Sequence, residues 1–331
     1  MKSKKFIVAI IAGLAFSMVF ILGGCGGSAP SKEVPQPKKI KISMATAGTG
    51  GTLYPVGGAM ADIINKTFPG EIVVTAEATG GSVEDIRLLE GKQADIATVG
   101  MDTAWRAVSG DGENFKNKKS SVVGLFNMYN QPVHFVVLKN SPIKSMSDIK
   151  GKRVSVGAPG SGNEDKCKIM LESLGITYKD FKPEFISFAE SVDALRDGNL
   201  DAAFVWAGVP NSSIMDLAST KPISVLEISD QEAEKIIQKM PYIYKTSIPK
   251  GTYKGVEGEV KTLAITTGMI ARPDLSEDVA YKVVKAVFDN LDSLSQAHAA
   301  IKDCDLKMGP AMCIPLHPGA QRFFKEKGAL K

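Results

Sequence analysis

Histidine is scarce in this chain of 331 residues, with three in all, and tryptophan is scarcer still with two. His134, His298 and His317 have no acidic or serine partner at a spacing that suggests a triad, so catalysis by a base-activated nucleophile finds little support. The four cysteines include no Cys-x-x-Cys, and none has a histidine beside it, which argues against a metal centre. Neither sign of charge dominates: 40 Lys and Arg against 36 Asp and Glu give a formal +4, with no basic stripe that would suit nucleic acid. The densest glycine stretch, GTGGTLYPVGG at residues 48–58, holds five glycines and no lysine, so it fails as a Walker loop. Leu53 stands where the third glycine of a dinucleotide fingerprint belongs. No catalytic residue, metal or other cofactor is expected.

What is present begins with a leader. Lys2, Lys4 and Lys5 precede the apolar run Phe6 to Leu22, which suits a signal-peptide core and is marginal for a permanent span. LGGC, Leu22 to Cys25, resembles a bacterial lipobox, and the resemblance implies that residues 1–24 are removed and Cys25 is lipidated. The stretch 25–39, rich in Gly, Ser and Pro, then reads as a tether. The folded body is expected outside the cytoplasm, attached to a membrane without entering it, and losing the leader lysines brings its charge close to neutral. In an oxidising compartment Cys304 and Cys313, close together across the Gly-Pro turn of CDLKMGPAMC, form the better disulfide candidate. Cys167 lies with Met170, Leu171 and Leu174 on the apolar face of a helix and reads as core.

The body alternates strand, glycine turn and helix. IKISMAT runs into the first glycine loop, EIVVTAEA passes through TGGS into a helix that Ser82 is placed to cap, and RVSVGA leads through APGSGNED into the Cys167 helix. SVEDIRLLEGKQADIATVG from Ser82 is echoed by SVDALRDGNLDAAFVWAG from Ser191, a weak internal repeat that suits two lobes of similar build. Two extended stretches cross between them. One is Ser121 to Lys139, broken at Gln131-Pro132, and the other is Val260 to Asp274. Lobe 1 is assigned to residues 40–135 and 265–331, lobe 2 to 136–264. Ser276 caps a late helix whose Val279, Val283, Val287 and Leu291 form a buried stripe.

Glycine turns at helix starts let backbone amides approach a ligand, and the first turn of a helix carries unsatisfied N–H groups and a positive end. Several such turns facing one cleft would hold a carboxylate without any covalent chemistry. Tyr54 and Trp206 read either as core aromatics or as walls of that cleft. Arg87, Arg106, Arg153 and Arg196 read as solvated surface. Ser161 in APGSGN departs from a nucleophile elbow at Pro159 and Asn163.

Five blocks in order, GTGGTLYPVGGAMADIIN, EATGGSVEDIRLLEGKQADIATVG, GKRVSVGAPGSGNE, LRDGNLDAAFVWAGVP and PLHPGAQRFFKEKG, resemble the TAXI family of extracytoplasmic solute-binding proteins of TRAP transporters. The resemblance covers about Ile40 to Gly328. It implies an α/β, type II periplasmic-binding-protein fold, two lobes joined by hinge strands around a ligand cleft, and a monomer. It also implies that a small acidic solute resembling glutamate or 2-oxoglutarate is passed to TRAP membrane subunits. Carried across position by position, it implies a socket of Thr49, Gly51, Thr52, Tyr54 and Ser82 in lobe 1 and Ser161, Gly162, Asn163, Ala207 and Gly208 in lobe 2. Asn163, where threonine is common, and the bulk of Trp206 are departures that bear on the solute. An ATP-driven importer or a sensor kinase is the alternative partner. An exported hydrolase using Ser161 is the alternative of another class.

Overall fold

The computed structural model describes residues 39–116 and 118–331; the expected leader, Cys25 and nearly all of the tether lie outside them. The first part of the body alternates β1 (Ile40–Ala45), α1 (Leu53–Thr67), β2 (Ile72–Glu77), α2 (Ser82–Glu90), β3 (Ile96–Gly100) and α3 (Met101–Ser109). The long strand β4 (Val123–Leu138) then crosses into a second unit of the same plan. That unit runs β5 (Arg153–Ser155), α4 (Gly162–Ser173), β6 (Lys182–Glu184), α5 (Phe188–Arg196), β7 (Ala202–Trp206), α6 (Ser212–Thr220), β8 (Ile223–Leu226) and α7 (Asp230–Lys239). β9 (Tyr244–Ile248) and β10 (Val260–Ala271) bring the chain back, and α8 (Glu277–Phe288), α9 (Leu291–Ala297) and α10 (Pro318–Glu326) close the first unit.

Strand order shows the duplication. In the first unit β2, β1 and β3 are parallel, β10 is inserted antiparallel beside β3, and β4 follows. In the second, β6, β5 and β7 are parallel, β4 is inserted antiparallel beside β7, and β8 follows. β4 is therefore a member of both sheets, whereas β10 pairs with β3, β4 and β9 in the first. The weak sequence echo falls on equivalent elements, α2 with β3 and α5 with β7. Its two aspartates do the same work: Asp95 accepts from the Ser43 amide on β1 and pairs with Arg272, while Asp201 accepts from the Arg153 amide on β5 and pairs with that residue's guanidinium. The central strands IATVG and AAFVW are buried throughout because helices cover both faces of each sheet. Apolar clusters accordingly lie on either face. Met44, Met60, Phe126 and Val283 pack on one side of the first sheet, and Val83, Ile86, Val99 and Ile270 on the other. Phe135, Cys167, Phe204 and Ile236, then Val205, Ile214, Leu217 and Tyr253, do the same for the second.

Several expectations are revised. β4 runs unbroken through Gln131-Pro132. Pro132 lies where β4 changes neighbours from β10 to β7, so its missing N–H interrupts no ladder, and its carbonyl accepts from the Ala207 amide at 3.3 Å. α8 ends at Phe288, which leaves Leu291 to begin α9. Cys304 and Cys313 are free thiols rather than a disulfide. The reason lies in the turn between them. Asn127 Nδ2 donates to the carbonyls of Met308 and Ala311, with Cys304 Sγ against the Asn127 backbone carbonyl at 3.6 Å and Cys313 Sγ against that of Met101 at 3.4 Å. Among the described residues no helix is long and apolar enough to cross a membrane.

Candidate functional site

Four helices start at one place. The glycine loop before α1, the TGGS turn before α2, the APGSGN turn before α4 and the Ser187 cap of α5 line a cavity of about 310 Å³, joined by Gln131 on β4 and Trp206 at the end of β7. Two of these starts belong to each unit, so the cavity lies between the two lobes. The lobes meet around it. Gly50 O accepts from Asn211 Nδ2 at 3.1 Å and Ser213 Oγ at 2.9 Å, Thr52 Oγ1 donates to Gly208 O at 3.2 Å, and the Glu84 amide donates to Gly160 O at 3.3 Å. Glycine is required at these contacts. A Cβ on Gly50 would stand 3.0 Å from the Ala189 amide nitrogen, and Gly81 adopts φ +118°, a conformation that side chains rarely take, within reach of Ser161. On one flank Arg106 of α3 forms an ion pair with Asp165 of α4, to which Asn114 also donates.

The expected socket residues divide. Thr49, Gly51, Thr52, Ser82, Ser161, Gly162, Asn163 and Trp206 all line the cavity. Tyr54, half-buried in the first turn of α1, does not, and neither do the buried Ala207 and Gly208, the latter packed close to Thr52 and Tyr129. Ser82 is the first residue of α2 rather than its cap. Gly81 takes the cap position, and Ser82 Oγ accepts from the Gly100 amide at 3.1 Å. Asn163 is a brace: its Nδ2 donates to Val156 O at 2.6 Å and Phe204 O at 3.0 Å, while its Oδ1 accepts from the Trp206 amide at 2.8 Å. Ser161 Oγ caps α4 by accepting from the Glu164 amide at 3.1 Å.

The histidines are engaged elsewhere. His134 Nδ1 donates to Val205 O at 3.0 Å and Nε2 accepts from Tyr253 Oη at 2.8 Å, and burial lowers its pKa to about 4. His298 and His317 each accept a backbone amide at the start of a short helical segment. Among the described residues no group of three or more His, Cys, Asp or Glu side chains converges to hold a metal.

Sequence reasoning missed the cavity's cation. Lys166, on the second turn of α4, is only 2% exposed and lines the cavity. Its Nζ is 3.5 Å from Asp102 Oδ1 on α3 and 5.9 Å from the centroid of the Trp206 ring, whose own N–H is buried without a hydrogen-bond partner. Nothing in the sequence marks this lysine apart from its place four residues after Gly162, one turn along from the glycine start. Arg106 was misread as well. It is buried with Asp165, whose carboxyl is raised above the ordinary range chiefly by burial, with Arg106 opposing. Gly48, Gly50, Thr79, Gly80, Gln131 and the Ser187-Phe188-Ala189 step are further lining residues that were missed, of which Ser187 carried a legible S-x-x-E capping box.

The NMT1-like family model matches residues 44–328 of the chain. The protein belongs to the NMT1-like family. Over 71 residues it is 32% identical to a protein of Escherichia coli (strain K12) named for binding aliphatic sulfonates; the match covers 22% of each, so the chain spans about a fifth of that relative's length. Among solved structures, PhnD1 from Prochlorococcus marinus (MIT 9301), in complex with methylphosphonate, superposes with a TM-score of 0.52 at 12% identity over 79% of this chain and 90% of that one. The periplasmic binding protein BugD gives 0.52 at 14% identity over 80% and 87%. These likenesses confirm the fold: this NMT1-like protein is a two-lobed α/β periplasmic-binding-protein fold.

Proposed function

We propose that this protein is an extracytoplasmic solute receptor that closes its two lobes over a small organic anion and delivers it to a membrane transporter. The observation that carries the reading is the convergence of four helix N-termini and one buried lysine on a single cavity between the lobes. A helix start contributes about 0.3–1 kcal/mol to an anion, and up to about 2 kcal/mol where partly buried. Charge-assisted hydrogen bonds are worth about 1.5–3 kcal/mol each. Micromolar affinity needs only about 8 kcal/mol. Binding, not turnover, is what such a set of groups accomplishes, and Ser161, the nucleophile of the hydrolase alternative, is occupied as a cap.

The sheets exchange partners where Gln131 faces Ile265 and Asn130 faces Thr266, beside a register shift between Thr266 and Gly268. We place the hinge there, with the lobes at residues 40–135 plus 265–331 and 136–264. Of the acidic groups considered, carboxylate, sulfonate and phosphonate all suit amide donors and an ammonium. Membership of the NMT1-like family and the segment shared with a sulfonate-binding protein support an ATP-driven importer better than the sodium-driven TRAP partner that the TAXI-like blocks implied. Lipid attachment at Cys25 would hold the receptor beside that importer. Calorimetric titration of ligand-stripped protein with short carboxylates, sulfonates and phosphonates tests the reading: at least one class binds stoichiometrically if it is right, and none does if it is wrong. Solute uptake that collapses with the sodium gradient while ATP is maintained would return the TRAP partner.

A further inference from the structure

Lys166 contributes the single charged side chain among the described residues lining the cavity. Its charge is poorly compensated by the protein. An ammonium has three donors, and Lys166 offers one of them to Asp102 Oδ1 at a long 3.5 Å. Asp102 in turn sits in the first turn of α3, where its carboxylate also answers that helix's positive end, and it accepts from Thr103 Oγ1 at 3.3 Å. The four helix starts around the cavity add further positive potential. Among the described residues that line the cavity, the fixed charges are therefore of one sign, with the Asp102 carboxylate next to Lys166 but not itself in the lining.

The carboxylates on the surrounding helices do not offset this, because each is turned to another partner. Glu84 accepts from the Gly80 amide at 2.7 Å, Asp85 from Thr79 Oγ1 at 2.6 Å, and Asp165 is paired with Arg106. None of them lines the cavity. A guest bearing an ammonium would give up its water beside Lys166 with no carboxylate among the described lining residues to replace it, a heavy penalty for a desolvated cation.

On the receptor reading, we propose that Lys166 is the charge-recognising residue of the site and that it selects organic acids lacking an amino group over the corresponding amino acids. The acid group sits against the Lys166 ammonium and the helix-start amides, and its carbon chain lies against Phe188 and Trp206. Glutamate is thereby disfavoured relative to 2-oxoglutarate.

Matched pairs that differ at the amino-bearing carbon or by the amino group alone test this on the unaltered protein by calorimetry: pyruvate against alanine, 2-oxoglutarate against glutamate, ethanesulfonate against taurine. In each pair that binds, the acid should be at least about 100-fold tighter. Lys166→Met should lower the acid's affinity by at least about 10-fold and bring the two members of the pair together, with unfolding of the ligand-free variant recorded to show that it is folded. Equal or tighter binding of an amino acid overturns the proposal and leaves the receptor intact, as does a Lys166→Met variant that is folded and binds acids undiminished. Failure of every member of every pair to bind overturns it together with the organic-acid specificity, and if mass spectrometry of the denatured protein also releases no solute, the receptor reading falls too.

Discussion

Replacing Gly50 by alanine separates folding from closure. Gly50 lies in the loop between β1 and α1, and an added Cβ would stand 2.6 Å from Ser213 Oγ, 3.0 Å from the Ala189 amide nitrogen and 3.2 Å from Ala189 Cβ, all in the opposite lobe. Ser213 can rotate only by giving up its 2.9 Å bond to Gly50 O, and the Ala189 amide belongs to the first turn of α5 and cannot retreat alone. Gly50 is not among the left-handed glycines, so alanine introduces no local backbone strain. Overpacking of this kind costs about 1–3 kcal/mol. Because both clashing partners lie across the cleft, the cost falls on the closed form, and solute affinity should drop roughly 5- to 150-fold. The ligand-free melting temperature should move by less than about 2 °C, since each lobe still folds on its own core. Gly58→Ala is the matched control. It lies within α1 with nothing near its virtual Cβ, so it should stabilise by about 0.5–1 kcal/mol and leave affinity alone. Calorimetry with an acid that the unaltered protein binds, paired with scattering to follow compaction, measures both quantities. Undiminished affinity in Gly50→Ala, or a loss of several degrees without ligand, would refute the idea that this contact is made only on closure.

Asn163→Ala should destabilise by about 3 kcal/mol or more in urea unfolding, because the carbonyls of Val156 and Phe204 and the amide of Trp206 lose buried partners together; a loss below about 1 kcal/mol would mean the side chain is no brace. His134 is held neutral by burial at a folded value of about 4, below its unfolded value near 6.5, so its contribution is complete above about pH 6.5 and is lost as pH falls toward 4. Unfolding free energy should therefore fall by roughly 3 kcal/mol across that window from this group, and a folded His134→Gln variant should show a shallower decline. Thiol titration of denatured, unreduced body (residues 39–331) should find Cys167, Cys304 and Cys313 all reactive; reaction of Cys167 alone would restore the disulfide.

The sequence and the structure agree where backbone chemistry is local. Glycine turns before apolar helices announced three of the four helix starts, and the faint echo around Ser82 and Ser191 marked equivalent elements because both carry the aspartate that ties the third strand to the first. Side-chain roles were harder to read. Asn163 and Ser161 belong to the expected socket by position, yet their polar atoms are used on neighbouring backbone, a distinction that depends on where β5 and β7 end. Arg106 read as a surface cation and Lys166 drew no reading at all, because their partners, Asp165 and Asp102, lie far away in the chain. The Cys304–Cys313 expectation failed for a related reason: the Asn127 side chain, distant in sequence, sets the shape of the turn.

Native mass spectrometry of the purified, folded body is the most direct examination of the cleft. One small acidic molecule should accompany each chain, dissociate when the lobes are unfolded, and be replaced by an added organic acid in a one-to-one complex. A chain that carries no guest as isolated, and acquires none across carboxylates, sulfonates and phosphonates, would contradict the account.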